Sequence, residues 1–389
     1  MKAGNWARWA LAATVVLTGC KGFWSALPST GGSGGTTGTA SGVFYVLNQK
    51  TAQVGAFSFA SGSTIPAAVS GSPYALGTVP LAMTISPNGS FLYVSTTTGI
   101  YLYDIGLGGA LTLGNGGQVI SADPANTMQV DSTGQWLVDA VSGIGAVNAI
   151  PLSPTTGLYN VSFQEASAAL PNTNVQQLAL TSSTSTTPYV FVAMGSGGTA
   201  VLPFVAANAN PFGSYAVIAP LSTLGGAVTV AVDISNPLLY VGETVAMSGT
   251  QSGGLRVFEI STSKISEISG SPYSSGGTGP SAILSTAGYL YVANKAVSGS
   301  SVGNITGFAV TVTGATYSLT KVSSVNAGYS PVGLAEESTA TYVMAVNAGG
   351  NPDLSTYTFD ATTAGKLDAG ATAATGTDPV QAIAVAAVP

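Results

Sequence analysis

Apolar residues along this chain fall in short runs rich in Val, Ile, Leu, Tyr and Phe, separated by clusters of Gly, Pro, Asn, Ser and Thr. Beyond the first 20 residues no stretch carries the 3.6-residue spacing of a long amphipathic helix, so the pattern predicts many short β-strands. The runs also recur. A strand that often follows Pro is succeeded by a turn and an aromatic strand of the form Y-V-x-N. Clear copies are 80–89 with 91–94, 228–233 with 238–241, 280–284 with 289–294, and 331–335 with 342–347. Weaker copies start near Asn126, leading to Trp136-Leu137-Val138, and near Asn174, leading to Tyr189-Val190-Phe191-Val192. Third strands follow at 100–105, 255–260 and 354–359, and a fourth follows a Gly turn, as at 109–113.

The repeat length is about 50 residues, and four strands per repeat is the signature of propeller blades. The ends of the chain are complementary. The last unit, 379–388, supplies only a first strand, while 43–70 supplies only the later ones. The expected fold is therefore all-β, a seven-bladed β-propeller of four-stranded blades closed by N- and C-terminal strands sharing one blade. Closure leaves no free sheet edge, which matters where few charges guard edges. Two β-sandwiches in tandem are the rival reading.

Charge changes the picture next. The chain holds 9 Lys and Arg, 15 Asp and Glu and no His, with 6% of residues charged. An acidic chain lacks the basic stripe of a nucleic-acid binder. Without imidazole there is no Ser-His-Asp or Cys-His catalysis and no His-ligated metal. Residues 1–19 read as an export signal: Lys2 and Arg8 lead a short apolar segment ending in Leu17-Thr18-Gly19-Cys20. This ending resembles the lipobox of bacterial lipoproteins. Cys20, the sole Cys, is the expected lipidation site, and no internal disulfide is available. Residues 20–41 read as the lipidated Cys and a Gly/Ser/Thr tether reaching roughly 25 Å, and 42–389 as the propeller. Loss of Lys2 and Arg8 leaves seven basic residues against 15 acidic, a net charge of −8. The expected product is a monomer in the cell envelope, lipid-anchored at the outer membrane or cell surface, with the membrane as one partner.

Two pentapeptides, 70–74 and 269–273, share the sequence Ser-Gly-Ser-Pro-Tyr, each preceding a blade's first strand. Together with the Y-V-x-N strands they resemble the 6-phosphogluconolactonase-like lactonase family of seven-bladed propellers, and the broader Y-V-T-N surface repeats, over residues 42–389. The resemblance implies hydrolysis of a sugar lactone or, in relatives, lactone formation on a muconate, with His, Arg and Glu near a central channel. Here there is no His, and Arg256 is the single Arg of the mature chain, midway along a third strand.

Candidate chemistry sits at the N position of Y-V-x-N, occupied around the ring by Asn48, Thr96, Ala140, Met194, Glu243, Asn294 and Asn347. Glu243, Asn294, Asn347 and Asn48 form a polar arc, with Lys295 and Lys50 beside it and Asp353 in a following loop. One expectation is a non-catalytic scaffold that binds a glycan, lactone or protein there and on its Ser/Thr/Asn loops. Another is a divergent lactone hydrolase, with Glu243 as general base, Lys295 or Asn294 polarising the carbonyl, and Asn347 and Asn48 orienting the ring. The bland alternative is strand-ending Asn residues beside a partly solvated Glu243–Lys295 ion pair. No cofactor is expected. Calcium at Glu243 and the Asn carbonyls would have one firm anionic ligand, fewer than hard cations prefer. Glu336-Glu337 are expected in a solvated turn, and Asp123 and Asp378 in Asx-turns before Pro.

Overall fold

The computed structural model describes residues 41–60, 63–182, 185, 188–245, 253–262, 264–297, 299–350, 352–373 and 382–389. The expected signal segment, Cys20, nearly all of the tether, Asp378 and most of the loop 245–254 lie outside these residues.

Described strands form six antiparallel sheets, four of them simple meanders in chain order. These run from Pro80–Ile85 to Leu111–Leu113, from Thr127–Val130 to Ala166–Ala169, from Gln177–Leu180 to Ala216–Ile218, and from Ala227–Val232 to Ile265–Glu267. A seven-stranded sheet runs from Thr278–Thr286 to Leu367–Ala373. It is two meanders fused through Thr316–Glu336, whose early part pairs with Val302–Thr313 and whose late part pairs with Tyr342–Gly350. Two separate strands were expected there. The linking residues are extended enough to carry pairing through, and register shifts around Pro331 mark the junction. The remaining sheet sets Ser41–Asn48 between Ala382–Ala387 and Gln53–Phe59, with Leu47 opposite Ala384 and Tyr45 opposite Ala386.

The first strands of successive meanders neighbour one another, and Ala382–Ala387 lies against both the late part of Thr316–Glu336 and Pro80–Ile85. Second strands carry the core. Phe91–Thr96, Trp136–Val141 and Leu238–Glu243 are buried at every position, because neighbouring sheets cover both faces. Apolar clusters therefore lie between sheets: Trp136 and Val138 pack with Val190 and Val192, and Tyr240 and Leu255 with Leu290 and Phe308.

The Tyr of the Y-V-x-N strand has a second task. Tyr45, Tyr93 and Tyr291 each donate their hydroxyl to a glycine carbonyl of the next meander (Gly109, Gly157 and Gly365), each at 2.9 Å. Gly365 has φ +75° and any side chain on it would run into the ring of Tyr289. The Tyr291 hydroxyl, the Tyr289 ring and Gly365 thus form one clasp between neighbouring meanders. The turns between first and second strands repeat a different device. A side-chain oxygen at the end of the first strand accepts the amide N–H that opens the second, as Ser86 does for Phe91 and Asp131 does for Trp136. Glu337 does the same for Tyr342 and also accepts from Thr339 and Thr341. It is 2% exposed, so the solvated turn expected at Glu336-Glu337 is instead organised by a buried carboxylate. Four bonds to its two oxygens compensate the burial.

Candidate functional site

First strands from all the meanders converge on an axial channel. One cavity of about 320 Å³ is lined by Met83, Asn126, Gln129, Gln177, Ser281 and Leu334, among others. A second, of about 570 Å³, continues it through Gln129, Gln177, Leu178 and Ile283 and ends beside Asp233. A third, of about 200 Å³, adjoins the first through Gln176, Val228, Ser281 and Val332 and ends beside Lys295 and Thr244. Among the described residues, Lys295 is the single charged one lining the first and third cavities.

A strand bordering the channel has no strand partner on that side, so its free N–H groups need other acceptors. Side chains from the preceding sheet provide them. Leu178 N–H donates to Thr127 Oγ1 at 3.0 Å, Leu180 N–H to Gln129 Oε1 at 3.1 Å, and Val230 N–H to Gln177 Oε1 at 3.1 Å. Ser281 donates across the next junction to the Pro331 carbonyl. The polar residues of the channel wall are thus also the rivets between sheets.

The polar arc read from the sequence occupies equivalent places, each at the end of a second strand, and each member is at most 2% exposed. None of the four lines the three axial cavities. The bonds of Asn294 and Glu243 run to the link that enters their sheet, and those of Asn347 to the stretch ahead of Pro331 and to the loop after its own strand. Asn294 donates to the Ser275 carbonyl at 2.8 Å and to Asn304 Oδ1 at 3.0 Å, and accepts from Ser275 Oγ. Asn347 accepts from Gly328 N–H at 3.2 Å and donates to the Pro352 carbonyl at 2.9 Å. Glu243 Oε2 accepts from Leu221 N–H at 2.9 Å. Asn48 is fully buried. Lys50 lies in the turn after Asn48, and Asp353 is buried with its carbonyl accepting from Asn347 N–H.

Glu243 is paired, but with Arg256 (3.0 Å) rather than Lys295. The register explains it. Gly254 stands opposite Glu243 and Arg256 opposite Val241, so the two side chains are diagonal neighbours on one face. Arg256 also bonds Glu267 at 2.7 Å and the Ala219 carbonyl at 2.8 Å. Burial pulls its guanidinium down, but the bonds to Glu267 and Glu243 outweigh that and hold it above its ordinary range. Burial pushes the Glu267 carboxyl up, and the bonds from Arg256 and Ser271 bring it below its ordinary range. Strand pairing, not spacing within a motif, was the signal that would have joined these residues.

A second cluster was not legible as a motif. Asp139, fully buried on Trp136–Val141, accepts from Asn148 Nδ2 at 3.1 Å through Oδ1. The same amide reaches Asp123 Oδ2 at 3.3 Å. Asp139 Oδ2 is buried without a hydrogen-bond partner. Burial first, then the Asp123 charge, push this carboxyl up to about 8; the Asn148 bond opposes them and Glu165 adds to them. The Glu165 carboxyl, though the residue is exposed, is also raised, by partial desolvation and then by Asp123. No basic residue occurs between Lys50 and Arg256 to neutralise the group. Among the described residues no three Cys, Asp or Glu side chains are placed to hold a metal ion.

Meanders radiating from a channel, with packing between sheets, define a β-propeller. Three solved structures share the fold. A periplasmic gluconolactonase of Pseudomonas aeruginosa is 16% identical, with TM-score 0.65 over 90% of this chain and 99% of that one. A proposed 6-phosphogluconolactonase of Bacteroides fragilis is 14% identical, with TM-score 0.66 over 92% and 100%. A Lactobacillus plantarum protein is 15% identical, with TM-score 0.62 over 90% and 100%. Identities this low establish the fold alone. No family model matches the sequence, and no curated protein does either.

Proposed function

We propose that the chain is an envelope-anchored, seven-bladed propeller of the lactonase type that serves as a non-catalytic ligand- or protein-binding scaffold, with its site in the axial channel. Counting the fused sheet as two blades gives seven, and the pairing of Ala382–Ala387 with Ser41–Asn48 supports ring closure. Anchoring is through a lipidated Cys20, as the lipobox-like segment implies.

The observation that carries the non-catalytic reading is the engagement of Glu243. A general base needs a carboxylate free to take a proton from water within hydrogen-bond reach of the substrate. Glu243 instead accepts from Arg256 and from Leu221 N–H, at 2% exposure, and spends its charge holding an inter-blade link. Among the described residues, the first and third channel cavities are lined by amides, hydroxyls, apolar walls and Lys295, and by no carboxylate. Such a lining orients a ligand without an acid–base pair to turn it over.

The test is hydrolysis of glucono-1,5-lactone, followed by pH-stat, with the parent and Glu243→Gln. The expected result is no turnover above buffer in either. Turnover by the parent that disappears in Glu243→Gln would instead establish a divergent lactone hydrolase with Glu243 as base and Lys295, Asn294, Asn347 and Asn48 as its supporting set.

A further inference from the structure

The rivets between blades leave a consistent surplus of donors in the channel. A carboxamide has one oxygen and one NH₂ group, and which is which follows from its partners. Gln129 Oε1 accepts from Leu180 N–H and Gln177 Oε1 from Val230 N–H. Asn126 Oδ1 accepts from Ser142 N–H at 2.7 Å. A backbone N–H can only donate, so none of these amides can be flipped. Each has its oxygen turned to protein and its NH₂ group without a partner among the described residues, and all three residues line the same cavity. Gln176, which also lines that cavity, is engaged by the Asn174 amide at 2.6 Å.

Lys295 stands at the end of the adjoining cavity, its stem passing over Gly279. Among the described residues it forms no ion pair. Three fixed NH₂ groups and one ammonium face a space of about 320 Å³ and its 200 Å³ vestibule. That is the low end of small-ligand sites, which run from roughly 300 to 1,000 Å³. The space therefore favours a compact ligand rich in acceptor oxygens with a single negative charge. Met83, Val228 and Ile283 offer apolar contact to a ring face.

We propose that this chamber binds a small hydroxylated carboxylate of the sugar-acid class. Its carboxylate lies toward Lys295 and its remaining oxygens accept from the NH₂ groups of Asn126, Gln129 and Gln177. The inference rests on the channel's being the binding site of the proposed scaffold.

The test is isothermal titration of the full chain with D-glucuronate, D-glucose and D-glucosamine. Gln129→Glu and Gln177→Glu are the decisive variants. A carboxylate oxygen still accepts from Leu180 or Val230 N–H, so the rivet survives, but the donor becomes a charged acceptor. Each variant should keep the parent's melting temperature, lose about tenfold or more in glucuronate affinity, and gain affinity for glucosamine. Lys295→Met should lose glucuronate affinity and leave glucose unchanged. Glucuronate that fails to bind the parent at about 10 mM, a concentration that detects even very weak sites, overturns the proposal. So does an affinity that both Gln→Glu variants leave unchanged. Lactone turnover by the parent would remove the non-catalytic reading without touching this assignment, so the two fail separately.

Discussion

Replacing Asp139 by Asn should make the protein more stable in alkaline solution, a rare direction for a change at a fully buried position. In the folded state burial, with the Asp123 and Glu165 charges, raises the carboxyl to about 8 from the usual 3.8, against a smaller opposing bond from Asn148. Between those two values the folded chain retains a proton that the unfolded chain has released. The unfolded state therefore binds fewer protons, and stability falls as pH rises through that window. Below it the contribution is intact; above about 8 the loss is complete and the curve is flat in this group. Each unit of displacement is worth about 1.4 kcal/mol, so the full span is on the order of 5 kcal/mol before local relaxation. Asn keeps the shape, keeps an oxygen for Asn148, and puts an NH₂ group where Asp139 Oδ2 has no partner. At pH 8.5 the variant should exceed the parent by at least about 2 kcal/mol, or about 4 °C in Tm for a chain of this size. At pH 4 the two should nearly coincide. Thermal melts by circular dichroism at pH 4, 6 and 8.5 measure it. Parallel pH profiles for parent and variant, or a variant less stable at pH 8.5, would show that Asp139 carries no destabilising charge.

Arg256→Met leaves Glu243 and Glu267 without their cation and should cost roughly 3–5 kcal/mol in urea unfolding, the usual result of breaking a buried pair. Glu243→Gln should cost less, roughly 1–2 kcal/mol, because Gln still accepts from Leu221 N–H and Arg256 still has Glu267; a larger loss than for Arg256→Met would contradict the assignment of Arg256 as the hub. Tyr291→Phe removes the bond to Gly365 and should lower stability by about 1 kcal/mol, while Gly365→Ala, with φ +75° and the Tyr289 ring in the way, should lower it by more than about 2 kcal/mol. The order of these two, read from chemical denaturation, tests whether packing or the hydrogen bond dominates the clasp.

The meander pattern was legible because each strand announces itself. The second strands are apolar on both faces, and their aromatic first residue recurs at a nearly constant interval. The sequence also placed a lone first strand within 379–388 and later strands within 43–70, and Ala382–Ala387 pairs with Ser41–Asn48. The fused strand through Pro331 was not legible, because Pro reads as a boundary and the pairing there is carried past it by shifts in register. For the site, the sequence located equivalent positions, as with Glu243 and Asn294, but gave no direction for their side chains. Asn294 turns to the link through Ser275, and Glu243 pairs with a residue 13 positions away on the adjacent strand. The channel amides were passed over because Gln and Asn carry no motif. Gln129 and Gln177 acquire meaning only when the backbone of the next blade stands beside them. The Asp139 cluster could have been suspected from one count, the absence of any Lys or Arg between residues 50 and 256.

Ser41–Asn48 is an interior strand, bonded along both edges. Tension on the chain ahead of Ser41 is therefore delivered along the strand axis and shared by two rows of bonds in shear, rather than opening one row bond by bond. The body would resist a pull on the chain ahead of Ser41 far better than one whose first strand lay outermost. Its mechanical weak point would lie elsewhere, at the short outer strands such as Ala216–Ile218.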